Sequence, residues 1–162
     1  MQREYSGKRV SADINVAIVV SRFNELVTRK LLDGALDALK RHTTGDGGSV
    51  DIFWVPGSFE LPMAAKRIVD SKMYEAVIAL GCLVRGETDH YDLLAHEVTK
   101  GLAQIALKTV IPLTYGVITA DTVEQALSRA GIKHGNKGFD AAVSAIEMIS
   151  LYRQIAEVEI QV

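Results

Sequence analysis

The chain has almost nothing with which to cross-link itself: a single cysteine, Cys82, among 162 residues. No intramolecular disulfide can form, and a lone thiol inside a strongly apolar run reads as a small buried side chain in a reducing compartment. An excess of one charge is also missing, since 18 basic residues face 20 acidic ones for a formal net charge of -2. Without a Lys/Arg run, nucleic acid and anionic membrane surfaces are poor partners. Met1 to Val10 is polar and mixed in charge, unlike the apolar core of a secretory leader. No apolar stretch approaches the roughly 20 residues of a spanning helix. The expectation is a soluble, cytoplasmic protein with no nucleic acid or membrane among its partners.

Two phosphate-binding signatures are absent as well. Gly81 to Thr88 spells G-x-x-x-x-G-E-T, but Glu87 stands where a phosphate loop carries the Lys that reaches terminal phosphates, which disfavours a nucleoside triphosphate site. No G-x-G-x-x-G follows the first apolar run, which removes the dinucleotide fingerprint. The histidines, His42, His90, His96 and His134, share no ligand-like spacing with carboxylates or with Cys82. No metal is expected.

What is present is a core-forming composition, 48% hydrophobic, enough for one good core in a single domain over residues 1–162. Apolar, β-branched runs occur at Ile14 to Val20, Val50 to Val55, Ala76 to Val84 and Leu113 to Thr119; three of them read as continuous, which predicts strands covered on both faces. Helical spacing fills the gaps. Val27, Leu31, Ala35 and Leu39 recur every four residues within Asn24 to His42, with Asn24 as N-cap and Lys40 and Arg41 in the last turn. Phe59 to Val69 and Tyr91 to Leu107 repeat the pattern; Thr122 to Ala130 and Asn136 to Val158 follow the fourth strand, separated by a break at Gly131 to Gly135. Alternating strands and helices with right-handed crossovers predict a three-layer α/β/α sandwich on a four-stranded parallel sheet, flavodoxin-like in topology. The last helix is apolar around most of its circumference, so it is either a deeply buried core helix or partly covered by another subunit.

Polar residues gather just past the strand ends, where open α/β sheets bind ligands. Ser21-Arg22-Phe23-Asn24 follows the first strand, Pro56-Gly57-Ser58-Phe59-Glu60 the second, Gly86 to Asp92 the third and Thr119 to Thr122 the fourth. Phe23, among polar neighbours, offers either a stacking face for a planar heterocycle or an ordinary packing residue. His90 opens the helix after the third strand. Imidazole ordinarily changes charge near neutral pH, which makes such a residue either a proton-transfer group or a surface helix-start histidine. Arg129, Lys133, His134 and Lys137 straddle a helix break, as a solvated patch or as anion ligands.

Taken together, the blocks S-R-F-N, V-P-G-S-F-E-L-P, G-C-L-V-R-G-E-T-D-H-Y-D, Y-G-V-I-T and Q-A-L-S-R-A-G-I-K-H-G-N-K-G, in that order from about Tyr5 to Tyr152, resemble the lumazine synthase family. The resemblance implies condensation of 5-amino-6-(D-ribitylamino)uracil with 3,4-dihydroxy-2-butanone 4-phosphate, without metal or organic cofactor. It implies that Phe23 stacks on the pyrimidine, that Ser58, Phe59 and Glu60 line the pyrimidine and ribityl region, and that Cys82, Leu83 and Val84 offer backbone to the uracil edge. Glu87 and Thr88 match the phosphate-binding turn, and His90 the proton donor. Tyr115 and Arg129 match positions that reach the site from a neighbouring subunit, and Lys137 is a further anion ligand. Glu87 stands where small residues are common, so the expectation is that it contributes its N–H and turns its carboxylate away. Tyr115 adds a hydroxyl where many relatives carry Phe. The resemblance further implies a homo-oligomer with a pentameric building block, and the compact Gly131 to Asn136 break looks like that of sixty-subunit shells. A lumazine- or flavin-binding module without turnover keeps the same pocket, so product formation separates the two readings. A nucleotide-binding signalling domain of the same topology is disfavoured by the missing phosphate loop.

Overall fold

A computed structural model describes residues 2–160 apart from 46, 88 and 134, with the side chains at 12 and 159 also left aside. The elements are β1 (Ser11–Ala12), β2 (Asn15–Ser21), α1 (Glu25–His42), β3 (Thr43–Thr44), β4 (Ser49–Val55), a single 3-10 turn (Ser58–Glu60), α2 (Leu61–Asp70), β5 (Ala76–Val84), α3 (His90–Lys108), β6 (Leu113–Ala120), α4 (Val123–Arg129) and α5 (Lys137–Ile160). All four long strands run parallel in the order β4-β2-β5-β6, as the alternation predicts. Val16 lies opposite both Val50 and Ala76, and Val77 opposite Leu113. The short β1–β3 pairing, Ser11 with Thr43 and Ala12 with Thr44, is too brief to leave a sequence pattern.

Side chains alternate across the pleat of β2. Val16, Ile18 and Val20 enter one core cluster with α1 and α5, whereas Ala17 and Val19 enter the other with α2 and α3. The first cluster is densely built. The four-residue repeat Val27, Leu31, Ala35 and Leu39 is buried throughout, beside Ala142, Ala145, Ile146 and Ile149 of α5. Burying a side chain the size of Leu31 or Ile146 contributes about 1.5–3 kcal/mol. The helices approach so closely that a Cβ on Gly138 would come within 1.9 Å of the Leu31 carbonyl oxygen. Asn136 fixes this junction: its amide nitrogen donates to the carbonyls of Lys30 and Ala130, and its Oδ1 accepts from the N–H groups of Gly138 and Phe139, capping α5.

Coverage of α5 comes largely from within the chain. Besides the sheet and α1, the amino-terminal segment runs along the helix, with Lys8 N–H donating to Ser150 Oγ at 3.0 Å, Arg9 pairing with Glu147 and Gln154 donating to the Ser6 carbonyl. The apolar surface left open lies elsewhere. Of the 19 residues of α3 only Val98 and Leu102 are buried. β4 is a sheet edge whose Val50, Ile52 and Phe53 stay exposed. Among the described residues no helix is long and apolar enough to cross a membrane.

Candidate active site

The chain reverses direction in the sheet at β2: β4 is added on one side, then β5 on the other. The connections after β2 and β5 therefore diverge to opposite faces and leave a crevice past their carboxyl ends. There the structure places a cavity of about 340 Å³, lined by Phe23 and Asn24 after β2, Gly57 to Glu60 after β4, and Leu83, Val84, Gly86, His90, Tyr91 and Leu94 from β5 onward.

Phe23 stands at the rim with 68% of its surface exposed, so backbone and not burial holds it. Its N–H donates to the Pro56 carbonyl at 3.1 Å, and the N–H of Arg22 to that of Val55 at 2.8 Å. Asn24 does not act as the expected side-chain cap. Its backbone is left-handed, φ 60°, and its amide crosses the crevice to donate to the Cys82 carbonyl at 2.8 Å. One residue thus ties the first strand's exit to the third strand's end.

The floor depends on a glycine. A Cβ on Gly81 would lie 2.8 Å from Leu61 Cδ1, 3.0 Å from Ser58 Oγ and 3.3 Å from Ser21 Oγ. Only a bare backbone lets the 3-10 turn settle against β5. The hydroxyls of Ser21 and Ser58 are buried there without a hydrogen-bond partner among the described residues, and Ser58 faces the cavity. Glu60 accepts the Gly57 N–H on Oε2 at 2.9 Å, and its other oxygen carries no hydrogen bond among the described residues.

His90 is the first residue of α3 and lines the cavity. Two residues on, Asp92 receives both terminal nitrogens of Arg85 at 2.8 and 3.0 Å, while Arg85 Nε reaches Asp121 at 3.0 Å. These hydrogen bonds raise the guanidinium pKa further and hold the Asp92 carboxyl below the usual carboxylate range.

Cys82 does not line the cavity. Strand alternation turns it into the α1/α5 cluster while Leu83 faces the other layer, and burial pushes its thiol up to about 12. A thiol so buried is no nucleophile, and the Cys82 carbonyl is engaged by the Asn24 amide. Glu87 is exposed in the turn before α3, and Thr88 lies outside the described residues. Tyr115 is level with Ala79, five residues short of Val84 along β5, about 16 Å at the rise of a strand, and its hydroxyl meets Thr99. Arg129 ends α4, exposed and without an ion pair among the described residues; Lys137 faces Asp140 at 3.6 Å. The chain therefore gathers Phe23, Ser58, Phe59, Glu60, Leu83, Val84 and His90, and leaves Tyr115, Arg129 and Lys137 outside that cavity. Asn24, Tyr91 and Leu94 join the lining without having been singled out for it, although Tyr91 sits within the D-H-Y-D block.

An aromatic rim, a carboxylate and an imidazole thus gather at the carboxyl ends of the parallel sheet of a three-layer α/β protein. The chain belongs to the 6,7-dimethyl-8-ribityllumazine synthase family, whose model matches residues 13–153. It is similar to the 6,7-dimethyl-8-ribityllumazine synthase of Kosmotoga olearia (strain ATCC BAA-1733 / DSM 21960 / TBF 19.5.1), with 54% identity over 153 residues that cover 94% of this chain and 97% of that protein.

Proposed function

We infer that this chain is a transferase of riboflavin biosynthesis that condenses 5-amino-6-(D-ribitylamino)uracil with 3,4-dihydroxy-2-butanone 4-phosphate to 6,7-dimethyl-8-ribityllumazine, releasing phosphate and water. Family membership supports the reaction, and the single observation that carries it to residues is the convergence of Phe23, Glu60 and His90 on one cavity. The substrate amine attacks the ketone to give an imine with loss of one water, phosphate leaves by elimination, and the resulting enol tautomerises before ring closure expels a second water. Each step moves a proton. His90 is the group that gives and takes it, a contribution of about 10²- to 10⁴-fold.

The rest of the acceleration comes from holding two substrates in reacting geometry. Phe23 stacks on the pyrimidine, the unengaged oxygen of Glu60 takes ribityl hydroxyls, and Ser58 offers its orphan hydroxyl to the same ligand. The phosphate sits at the turn of Glu87 and Thr88, by the amino terminus of α3, where backbone N–H groups and the helix dipole favour an anion. Tyr115, Arg129 and Lys137 complete the site of a neighbouring copy. The active form is then a homo-oligomer of single-domain chains built from pentamers into a sixty-subunit shell, working in the cytoplasm, where a lone thiol stays reduced.

Combining the purified protein with both substrates and following the fluorescence of the lumazine product tests the reaction. Product formation in proportion to protein, above the spontaneous background, supports it; a rate equal to background overturns it. Light scattering on the native particle tests the assembly.

A further inference from the structure

Arg85, between the lining residues Val84 and Gly86, is a charged group to which the proposed chemistry gives no task. It stands one residue past β5, its own N–H continuing the sheet by donating to the Ala120 carbonyl at 2.9 Å. Every nitrogen of its guanidinium is committed: Nη1 and Nη2 fork onto the two oxygens of Asp92, and Nε donates to Asp121. Its plane also lies over the ring of Tyr91, 4.4 Å from the centroid. Three of its five N–H donors are thus taken by the two carboxylates, which also offset its charge.

Stability does not explain this arrangement, because the three charged side chains are 44%, 53% and 67% exposed and ion pairs that wet contribute little. Geometry does. A planar fork on a carboxylate fixes direction as well as distance. Its two partners on α3, Tyr91 and Asp92, are the residues directly following His90. In the preceding connection, a side chain added at Gly86 would meet nothing within 4 Å among the described residues. Asp121 secures the other side, its N–H bonded to Gln125 Oε1 at 2.9 Å at the start of α4.

We propose that Arg85 is a positioning residue for the proton-transfer step: by clamping Asp92 and covering Tyr91 from a rigid strand end, it sets the first turn of α3 and with it the placement of the His90 imidazole. The proposal rests on the reading of His90 as the proton-transfer group. Misplacement of a reacting group by about 1 Å can cost on the order of 10²-fold, so Arg85→Gln lowers kcat by about 10- to 100-fold while the KM for the pyrimidine changes little.

The test is steady-state kinetics of the full-length protein with Arg85→Gln, Arg85→Ala, Asp92→Asn, the Arg85→Gln/Asp92→Asn double variant and His90→Ala, with thermal midpoints measured on each. Expected are a loss in kcat for Arg85→Gln and Asp92→Asn at near wild-type midpoints, a double variant no worse than either single, and recovery of Arg85→Ala by added guanidinium ion. Full kcat in Arg85→Gln beside an impaired His90→Ala overturns the clamp alone. Full kcat in His90→Ala overturns the reading beneath it. Losses that track a fall in thermal midpoint and are not recovered by guanidinium show a merely structural role and also overturn the proposal. Were Arg85→Gln not to fold, Asp92→Asn breaks the same fork from its other end, and its kcat decides the question by the same criteria.

Discussion

The two helical layers on this sheet are finished to different degrees. On one side α1 buries seven residues in 18 and α5 closes over it with an amino-terminal segment laid along its flank. On the other, α3 buries two residues in 19, and Phe59, Met63 and Leu93 stand 64%, 66% and 69% exposed. The layer that is complete within one chain carries Arg129 and Lys137, which lie outside the cavity. The incomplete one holds Phe59 and His90 at the cavity mouth. A pocket must admit ligands, and a helix clamped at its first turn but loosely packed along its length leaves room for a further copy of the chain to complete the site.

The contrast breaks most visibly at His90. His90→Ala lowers turnover at saturating substrates by about 10²- to 10⁴-fold while binding of a ribityl-pyrimidine analogue survives, as a spectroscopic titration would show. Wild-type turnover after subtraction of the spontaneous reaction removes His90 from the mechanism.

Next come paired truncations, one in each layer. Ile146→Ala, in the α1/α5 cluster, lowers the free energy of unfolding by about 2–5 kcal/mol through lost burial and a residual cavity. Leu93→Ala on α3 changes it by less than about 0.5 kcal/mol. Urea unfolding at low protein concentration measures both, and equal losses would erase the distinction between the layers.

A smaller effect separates the two substrates. Phe23→Ala removes a stacking face worth on the order of 1 kcal/mol and raises the KM for the pyrimidine more than that for the butanone phosphate, whereas Arg129→Ala does the reverse. If both variants weaken the same substrate, the assignment of subsites fails.

An effect confined to alkaline pH belongs to Cys82, in the finished layer. Burial pushes its folded thiol up to about 12, above the ~8.5 of an unfolded one, so the unfolded chain releases its proton first. The stabilisation is complete below about pH 8.5 and is lost as pH rises toward about 12. Urea midpoints compared between wild type and Cys82→Ala should therefore show the steeper alkaline decline in wild type; identical slopes contradict the burial.

Where sequence and structure agree, the signal was periodic. The continuous run Ala76 to Val84 and the four-residue spacing from Val27 to Leu39 each dictate one packing, and both elements fall where that packing requires. Legibility fails where tertiary contacts decide. Val50 to Val55 is apolar enough for a covered strand, yet sheet order makes it an edge. Asn24 has the composition of a cap, but its left-handed backbone sends the amide to Cys82. The apolar girth of α5 pointed to a subunit contact as readily as to a core, and much of it packs against α1 and the sheet within the chain. In the site, motif order sufficed to nominate Phe23, Ser58, Glu60 and His90. Asn24 and Tyr91 as lining, and the Arg85 clamp, emerge only once β2, β5 and β6 lie side by side.

The central claim is that the unfinished layer is completed by another chain, so that Arg129 of one copy serves the His90 of the next. His90→Ala and Arg129→Ala subunits, dissociated together, reassembled and assayed at butanone phosphate concentrations too low for either parent to turn over appreciably, test it most directly. Shared sites predict partial recovery of activity, because some boundaries pair an intact His90 with an intact Arg129. Mixed particles as inactive as either parent, with subunit exchange verified by mass, would contradict it and place each site within a single chain.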